Sequence, residues 1–422
     1  MEQKIYNEYV EILKEELLPA MGCTEPIAVA YAAAVAVQAL GEKPESVEVN
    51  VSANIIKNVK SVVVPCTGGL RGIGAAVCAG IVAGCPEKEL EILEEITGEQ
   101  KVEMKKMLDT MPMTIRESDK GYIFDIQIKA CAGGHSGYVE IAGFHTNVIC
   151  VKKDDEIIRE KAYEEQGSSC ATDRSLLTVE KIIEFADCVD VADVEEVLQR
   201  QIDYNWAIAE EGMTGNWGAA IGKTLMEAYG NSVHNRAKAM AAAGSDARMN
   251  GCELPVVINS GSGNQGMTTS LPVIVYAKEL NVSKEMMLRA LVVSNLITIH
   301  MKTGIGRLSA YCGAISAGCG AGAGICYLYG GHAYEISHVI VNAVAINSGV
   351  VCDGAKASCA AKIASAVEAG LLGLQMQKNG KQFYGGDGLV EKGVENTIRN
   401  IGELAKKGMR ETDKTIIQIM TR

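Results

Sequence analysis

Aromatic residues are scarce in this chain, only 5% of 422 positions with 4 Phe and 2 Trp, although 48% of the residues are hydrophobic. A core then has to be built from aliphatic side chains and 45 Gly, which excludes an aromatic-rich sandwich and points to helices that approach one another closely. Long apolar runs are missing too. The most hydrophobic stretches, 27–40 and 313–329, are Ala- and Gly-rich and shorter than the roughly 20 residues of a membrane span, or interrupted. Buried helices account for them, and no membrane partner is expected. The segment MEQKIYNEYVEILKEELL alternates charge with apolar residues at helical spacing and lacks the apolar centre of a signal peptide, so a cytoplasmic protein is expected. Positive charge is in deficit: the formal net charge is -12, which repels a phosphate backbone and argues against a nucleic-acid partner.

Several motifs are absent. The 14 cysteines include no CxxC pair, which excludes a zinc ribbon or a ferredoxin-type run. In a reducing compartment, and in a chain long enough to need no staples, they do not read as a disulfide framework. The six histidines form neither HxxxH nor HExxH and make no independent case for zinc. No period of 20–50 residues repeats, so a solenoid is unsupported, and no pyridoxal-binding signature is visible.

What is present divides the chain. Its length exceeds the usual single-core limit. A helix over 3–18 ends at Pro19, and Thr24 with Pro26 forms a helix start running to about Leu40. From about residue 45 the period changes to two: 46–52, 59–64, 122–130, 138–141 and 147–152 read as strands, and 73–83 and 88–97 as helices. After about 165, Ala/Val/Leu/Met-rich helical segments alternate with Gly-rich breaks. The fold class expected is α+β: a mainly α-helical catalytic domain made of 1–42 and 165–422, with a small α/β domain, 43–164, inserted in it.

Three features carry chemistry. Cys312, Cys319, Cys326, Cys352 and Cys359 fall within 48 residues; soft thiolates select iron–sulfur clusters or zinc, while buried structural cysteines remain the other reading of the same spacing. Cys352 and Cys359 are seven apart, within reach of each other on a helix or around the Asp353-Gly354 loop. The segment NSGSGNQG (259–266) opens a helix with exposed backbone N–H groups, suited to an anion; it lacks the Gly-Lys-Ser/Thr ending of a P-loop, and a plain Gly-rich turn is its alternative. Cys23, in MGCTEP, lies at a helix opening, where the dipole lowers a thiol pKa as a base or nucleophile needs, although an inert core thiol is the commoner reading of a lone Cys.

The blocks GMTGNWGAAIGKTL (212–225), SDARMNGCELPVVINSGSGNQGMTTSLPVI (245–274), GRLSAYCGAISAGCGAGAG (306–324) and VCDGAKASCAAKIASAVEAG (351–370), in this order, resemble the L-cysteine desulfidases, a family related to the iron–sulfur L-serine dehydratases. The similarity covers essentially the whole chain. It implies a 4Fe-4S cluster, and no pyridoxal phosphate, with ligands Cys312, Cys352 and Cys359 and one iron without a protein ligand; Cys319 is the rival ranked below these. It implies Cys23 as the acceptor of the substrate's α-proton and Ser260, Ser262, Asn264 and Gln265 as substrate-binding residues. The inserted domain resembles the α/β domain of the serine dehydratases, with the loops 67–72 and 133–137 expected to face the active site. The C-terminal cysteine that some serine dehydratases use as a stand-in ligand is missing from IIQIMTR, so water or substrate is expected on the open iron. The implied reaction is β-elimination of L-cysteine to hydrogen sulfide, pyruvate and ammonia, sensitive to oxygen. An L-serine dehydratase on the same scaffold and a non-catalytic amino-acid-binding protein are the alternatives. Helix faces rich in small residues suit a homodimer.

Overall fold

The alternating segment SVEVNV becomes the strand around which a sheet is assembled. In the computed structural model, which describes residues 1–163, 172–306 and 308–421, α1 (Gln3–Glu16), β1 (Pro19–Met21) and α2 (Thr24–Leu40) lead into β2 (Ser46–Val51), α3 (Ala53–Val59), α4 (Gly72–Ala83) and α5 (Gly98–Thr110). Five strands follow: β3 (Met113–Glu117), β4 (Asp125–Ala132), β5 (His135–Ala142), β6 (Val148–Lys153) and β7 (Glu156–Glu160). The sheet order is β3-β2-β4-β5-β6-β7, antiparallel except for the β2–β3 pair. Val47, Val49 and Val51 stand opposite Ala130, Ile128 and Ile126 and all six are buried, as a period of two requires of one face.

Helix α2 closes that face. It is apolar all round, and glycine makes its fit possible: a Cβ on Gly80 of α4 would lie 1.9 Å from the Ala30 carbonyl oxygen, and one on Gly137 of β5 would lie 2.1 Å from that of Ala36. The expected boundary at 42/43 therefore falls too late. The side chains of α2 share one core with β2, β4, β5 and α4, so this packing unit begins at about Met21. The second expected boundary, 164/165, lies outside the described residues.

Two other expectations change. Residues 59–64, expected as a strand, are the end of α3 and a turn, with only a Val63–Arg71 bridge; a short apolar run does not distinguish strand from buried turn. The helix expected over 88–97 is a 3₁₀ segment, Pro86–Glu91, broken by Glu89 at φ 45°. The helix forms at α5 instead, where Thr97 and Gln100 make a reciprocal capping box.

The rest is helical: α6 (Val179–Cys188), α7 (Glu195–Thr214), α8 (Ile221–Tyr229), α9 (Val233–Met249), then β8 (Pro255–Val257), α10 (Gly263–Glu279), α11 (Lys284–Ile305), α12 (Gly313–Leu328), α13 (Ala333–Asn347), α14 (Cys359–Lys378), α15 (Val394–Glu403) and α16 (Arg410–Thr421). α12 lies at the centre, buried from Ala314 to Leu328. Its glycines let α14 lie against it: a Cβ on Gly318 would meet the Ala366 carbonyl oxygen at 2.3 Å, and one on Gly322 the Gly370 carbonyl oxygen at 2.9 Å. Because 318 pairs with 366 and 322 with 370, the two helices run parallel and their N-termini lie side by side. β1 pairs antiparallel with β8, Ala20 opposite Val256, and this short ribbon brings the start of α2 to the start of α10. Among the described residues no helix is long and apolar enough to cross a membrane.

Candidate functional site

Four helix N-termini converge on one cavity of about 110 Å³. Cys23 is the N-cap of α2, Ser262 that of α10, Cys312 that of α12, and Cys359 is the first residue of α14. All four residues line the cavity, with Glu25, Asn264, Gln265, Gly313 and Cys352. Four positive helix ends and four cationic side chains, Lys57, Arg248, Lys302 and Lys362, face one lining carboxylate, Glu25. In a protein of net charge -12 this is a local inversion of sign, suited to anions.

The cysteines are set by backbone pairing. Tyr311 bridges Val351, the Cys312 N–H donates to the Val350 carbonyl at 3.1 Å, and the Cys352 N–H donates to that of Ala310 at 2.6 Å. Cys312 and Cys352, forty residues apart, are thus neighbours on paired strands. From Cys352 the chain turns at Gly354, φ 91°, where a Cβ would meet the Lys57 carbonyl oxygen at 2.2 Å, and delivers Cys359, whose thiol donates to the Gly354 carbonyl at 3.7 Å. Burial pushes the Cys312 thiol up to about 12, with further upward pressure from Cys352 and Cys359, and the Cys359 thiol also upward. Without a cation Cys312 and Cys359 are therefore held as neutral thiols. Cys319 does not line the cavity: it lies seven residues further along α12, roughly 10 Å at helical rise.

Cys23 packs with Val62, Met249, Ala355 and Cys359. Its thiol is not lowered as a helix opening predicts. Burial pushes it up to about 12, Arg248 pulls against this, and Glu25 and Cys359 add to it. Thr24 is the first helical residue, behind Cys23 as N-cap; its hydroxyl donates to the Gly261 carbonyl at 3.2 Å and ties α2 to the Gly-rich loop.

That loop is held from behind. Asn259 donates to Asn295 Oδ1 at 2.9 Å, Asn295 exchanges amide hydrogen bonds with Gln201, and the Ser260 hydroxyl donates to Asn259 Oδ1 at 2.9 Å. Ser260, at φ 51°, is therefore spent on the turn and does not line the cavity, whereas Ser262, Asn264 and Gln265 do. The loops 67–72 and 133–137 do not line it either. The α/β unit reaches the cavity through the start of α2, with Cys23 and Glu25, and through α3, with Lys57 and Asn58; Asn58 Nδ2 donates to Glu25 Oε1 at 3.0 Å.

Sequence reasoning missed Arg248, Glu25, Lys57, Asn58, Lys302 and Lys362. Arg248 left a signal, since it is the one basic side chain in the Ala-rich second half of α9, residues 241–249, which is buried throughout.

Among the described residues no three His, Cys, Asp or Glu side chains converge as the ligands of one ion would; the thiols ring a cavity instead. Comparison with known proteins gives this arrangement a context. Residues 87–418 match the family model described as serine dehydratase alpha chain. The UPF0597 protein of Desulfitobacterium hafniense (strain Y51) is 59% identical over 419 residues, covering 99% of this chain and 97% of that protein. That of Lachnoclostridium phytofermentans is 50% identical over 419 residues (99% and 100%), and that of Treponema denticola 43% over 427 residues (100% and 99%). The matched range takes in the Gly-rich loop and all three cavity cysteines of the C-terminal third, and by it the chain belongs to the serine dehydratase alpha chain family, related to the iron–sulfur serine dehydratases.

Proposed function

We propose that this protein is an iron–sulfur lyase acting on L-cysteine, a desulfidase, with Cys312, Cys352 and Cys359 as the residues that would hold a 4Fe-4S cluster. The observation that carries the reading is that these three cysteines, remote in sequence, line one cavity together with Cys23 and the loop residues Ser262, Asn264 and Gln265. The donor set fits the group. A cluster takes its ligands on separate irons, so thiols ringing a cavity suit it better than thiols converging on a point, and the surrounding helix N-termini and Lys362 favour the thiolate form. When bound, such a cluster supplies a Lewis-acidic iron, which makes a thiolate or hydroxide a better leaving group.

The chain's own residues supply the rest. The N-terminal turn of α10 receives the substrate carboxylate through Gly263 and Asn264 backbone N–H groups. Cys23, whose conversion to thiolate is favoured by Arg248 and opposed by burial, takes the α-proton. The Cα–H bond and the Cβ–S bond break, giving HS⁻ and 2-aminoacrylate, which tautomerises and takes up water to yield pyruvate and ammonia. A cytoplasmic homodimer is the setting proposed.

The family description favours a second reading, L-serine dehydratase, in which hydroxide leaves in place of HS⁻. Anaerobically purified protein given each amino acid separately decides between them. The desulfidase predicts sulfide and pyruvate in equal amounts from L-cysteine and a kcat/KM at least about 10-fold lower for L-serine; the reverse ratio assigns the dehydratase.

A further inference from the structure

Arg248 and Gln265 make opposite demands on whatever occupies the cavity. Arg248 is 2% exposed. Its Nε donates to the Gly22 carbonyl at 2.8 Å, its Nη1 to Asn264 Oδ1 at 3.2 Å, and it also hydrogen-bonds the Cys23 thiol. These are neutral acceptors. Lys57 has Asp413 and Lys362 has Asp353, but no carboxylate pairs with Arg248 among the described residues. A guanidinium keeps its proton and carries five N–H donors, so a buried one with neutral partners is expensive until an anion arrives. Gly263 lies against it: a Cβ there would stand 2.5 Å from Nε, so the first turn of α10 and the guanidinium present their donors together.

Gln265 is 6% exposed, and its Oε1 has no hydrogen-bond donor. The amide is wedged against Gly313, where a Cβ would meet its Cδ at 2.6 Å and its Nε2 and Oε1 at 2.8 Å. It is thereby fixed beside Cys312 with an acceptor unmet. A buried acceptor without a partner costs free energy that a donor would return.

Resting on the reading of this cavity as an amino-acid lyase site, we propose that Arg248 binds the α-carboxylate and Gln265 the α-ammonium of the substrate. The site then takes free α-amino acids with small side chains, and rejects amides, peptides and the deaminated acids.

The test is calorimetric titration of the anaerobic, cluster-loaded protein with three unreactive probes: L-alanine, L-alaninamide and propionate. Wild type should bind L-alanine at least about 10-fold more tightly than either of the others. Arg248→Met should weaken L-alanine by at least about 10-fold, down to L-alaninamide, with the cluster's absorption spectrum unchanged; Arg248→Lys should fall between. Gln265→Leu should bring L-alanine down to propionate and leave propionate as it was. L-alaninamide binding to wild type as well as L-alanine, or wild-type L-alanine affinity in Arg248→Met, overturns the carboxylate assignment; unchanged L-alanine affinity in Gln265→Leu overturns the ammonium assignment. If Arg248→Met does not fold, Arg248→Lys and the wild-type probe series still decide. Product release from L-cysteine, measured on the same sample, separates the two claims. The expected probe pattern without sulfide or pyruvate sinks the lyase and leaves the zwitterion site, whereas product with the wrong pattern sinks only Arg248 and Gln265.

Discussion

Cys23 lies beside Cys359 in one cavity, yet substitution separates their roles. Replacing Cys312, Cys352 or Cys359 by Ser should lower the iron bound per chain to well under half, read by an anaerobic iron and sulfide assay with the visible spectrum. Cys23→Ser should keep full iron and lose most turnover, at least about 100-fold, because a hydroxyl is far too weak an acid to stand in for a thiolate. Iron lost from Cys23→Ser would make it a ligand, and near-normal turnover would make it a core residue. The acid–base sign follows from burial: the thiol is pushed up to about 12 and the active form is the deprotonated one, so kcat/KM should climb with pH beyond 9. A profile already flat above pH 6 would move the proton transfer to a carboxylate, and Glu25 lines the cavity. Asn264→Ala, which deletes one acceptor of Arg248, should raise KM about 10-fold while leaving the cluster's spectrum intact.

Helices α12 and α14 place two of the cysteines only because their axes come close enough for Gly318 to touch the Ala366 carbonyl. Gly318→Val should cost roughly 3 kcal/mol in denaturant midpoint, the upper end of overpacking, and lower iron content by displacing Cys359; normal iron in a destabilised protein would show that the crossing does not set the site. Glu368 of α14 is tied to His234 and Lys238 of α9 at 2.8 and 2.6 Å, and His234, then Lys238, hold its carboxyl down at about 2. A depressed carboxyl stabilises the fold above its unfolded value near 4.5, and that contribution fades as pH falls toward 2. The group is half exposed, so Glu368→Gln should cost no more than about 1 kcal/mol at pH 7 and nothing near pH 2, followed by thermal unfolding at both. At this scale the sequence was partly legible. The Ala- and Gly-rich helices and the alternating strands followed from period and composition, and the three cysteines singled out by the family blocks line one cavity, their role as ligands being the proposal above. Ser260 was misplaced because a turn and a binding loop use the same residues, and only tertiary partners, here Asn259 and Asn295, show which side faces inward. Arg248 was passed over because burial without a counter-ion is invisible until the fold exists.

Across the whole molecule, the α/β unit and the helical unit meet at the cavity and again at the far end of the chain. Lys57, 1% exposed on its side chain, pairs with Asp413 of α16 at 2.5 Å, and Lys60 donates to the Met420 carbonyl. Asp413→Asn should cost roughly 3 kcal/mol, because it leaves a buried ammonium without its charge partner; Lys57→Met with Asp413→Leu should recover most of that loss in urea unfolding, whereas equal destabilisation in the double variant would place the energy elsewhere. These ties join residues hundreds of positions apart: Thr24 with Gly261 and Lys57 with Asp413 are separated by 237 and 356 residues, and β1 finds its partner in β8. Loop closure on that scale has to be completed before the contacts return any free energy. The α/β unit, whose sheet contacts are local, can condense early, but the cavity is among the last features to form. Refolding followed by sheet circular dichroism should run ahead of refolding followed by cluster uptake, leaving an interval in which the thiols are exposed, unligated and open to oxidation. The ribbon that assembles the site thus also sets how long its thiols stay exposed during folding.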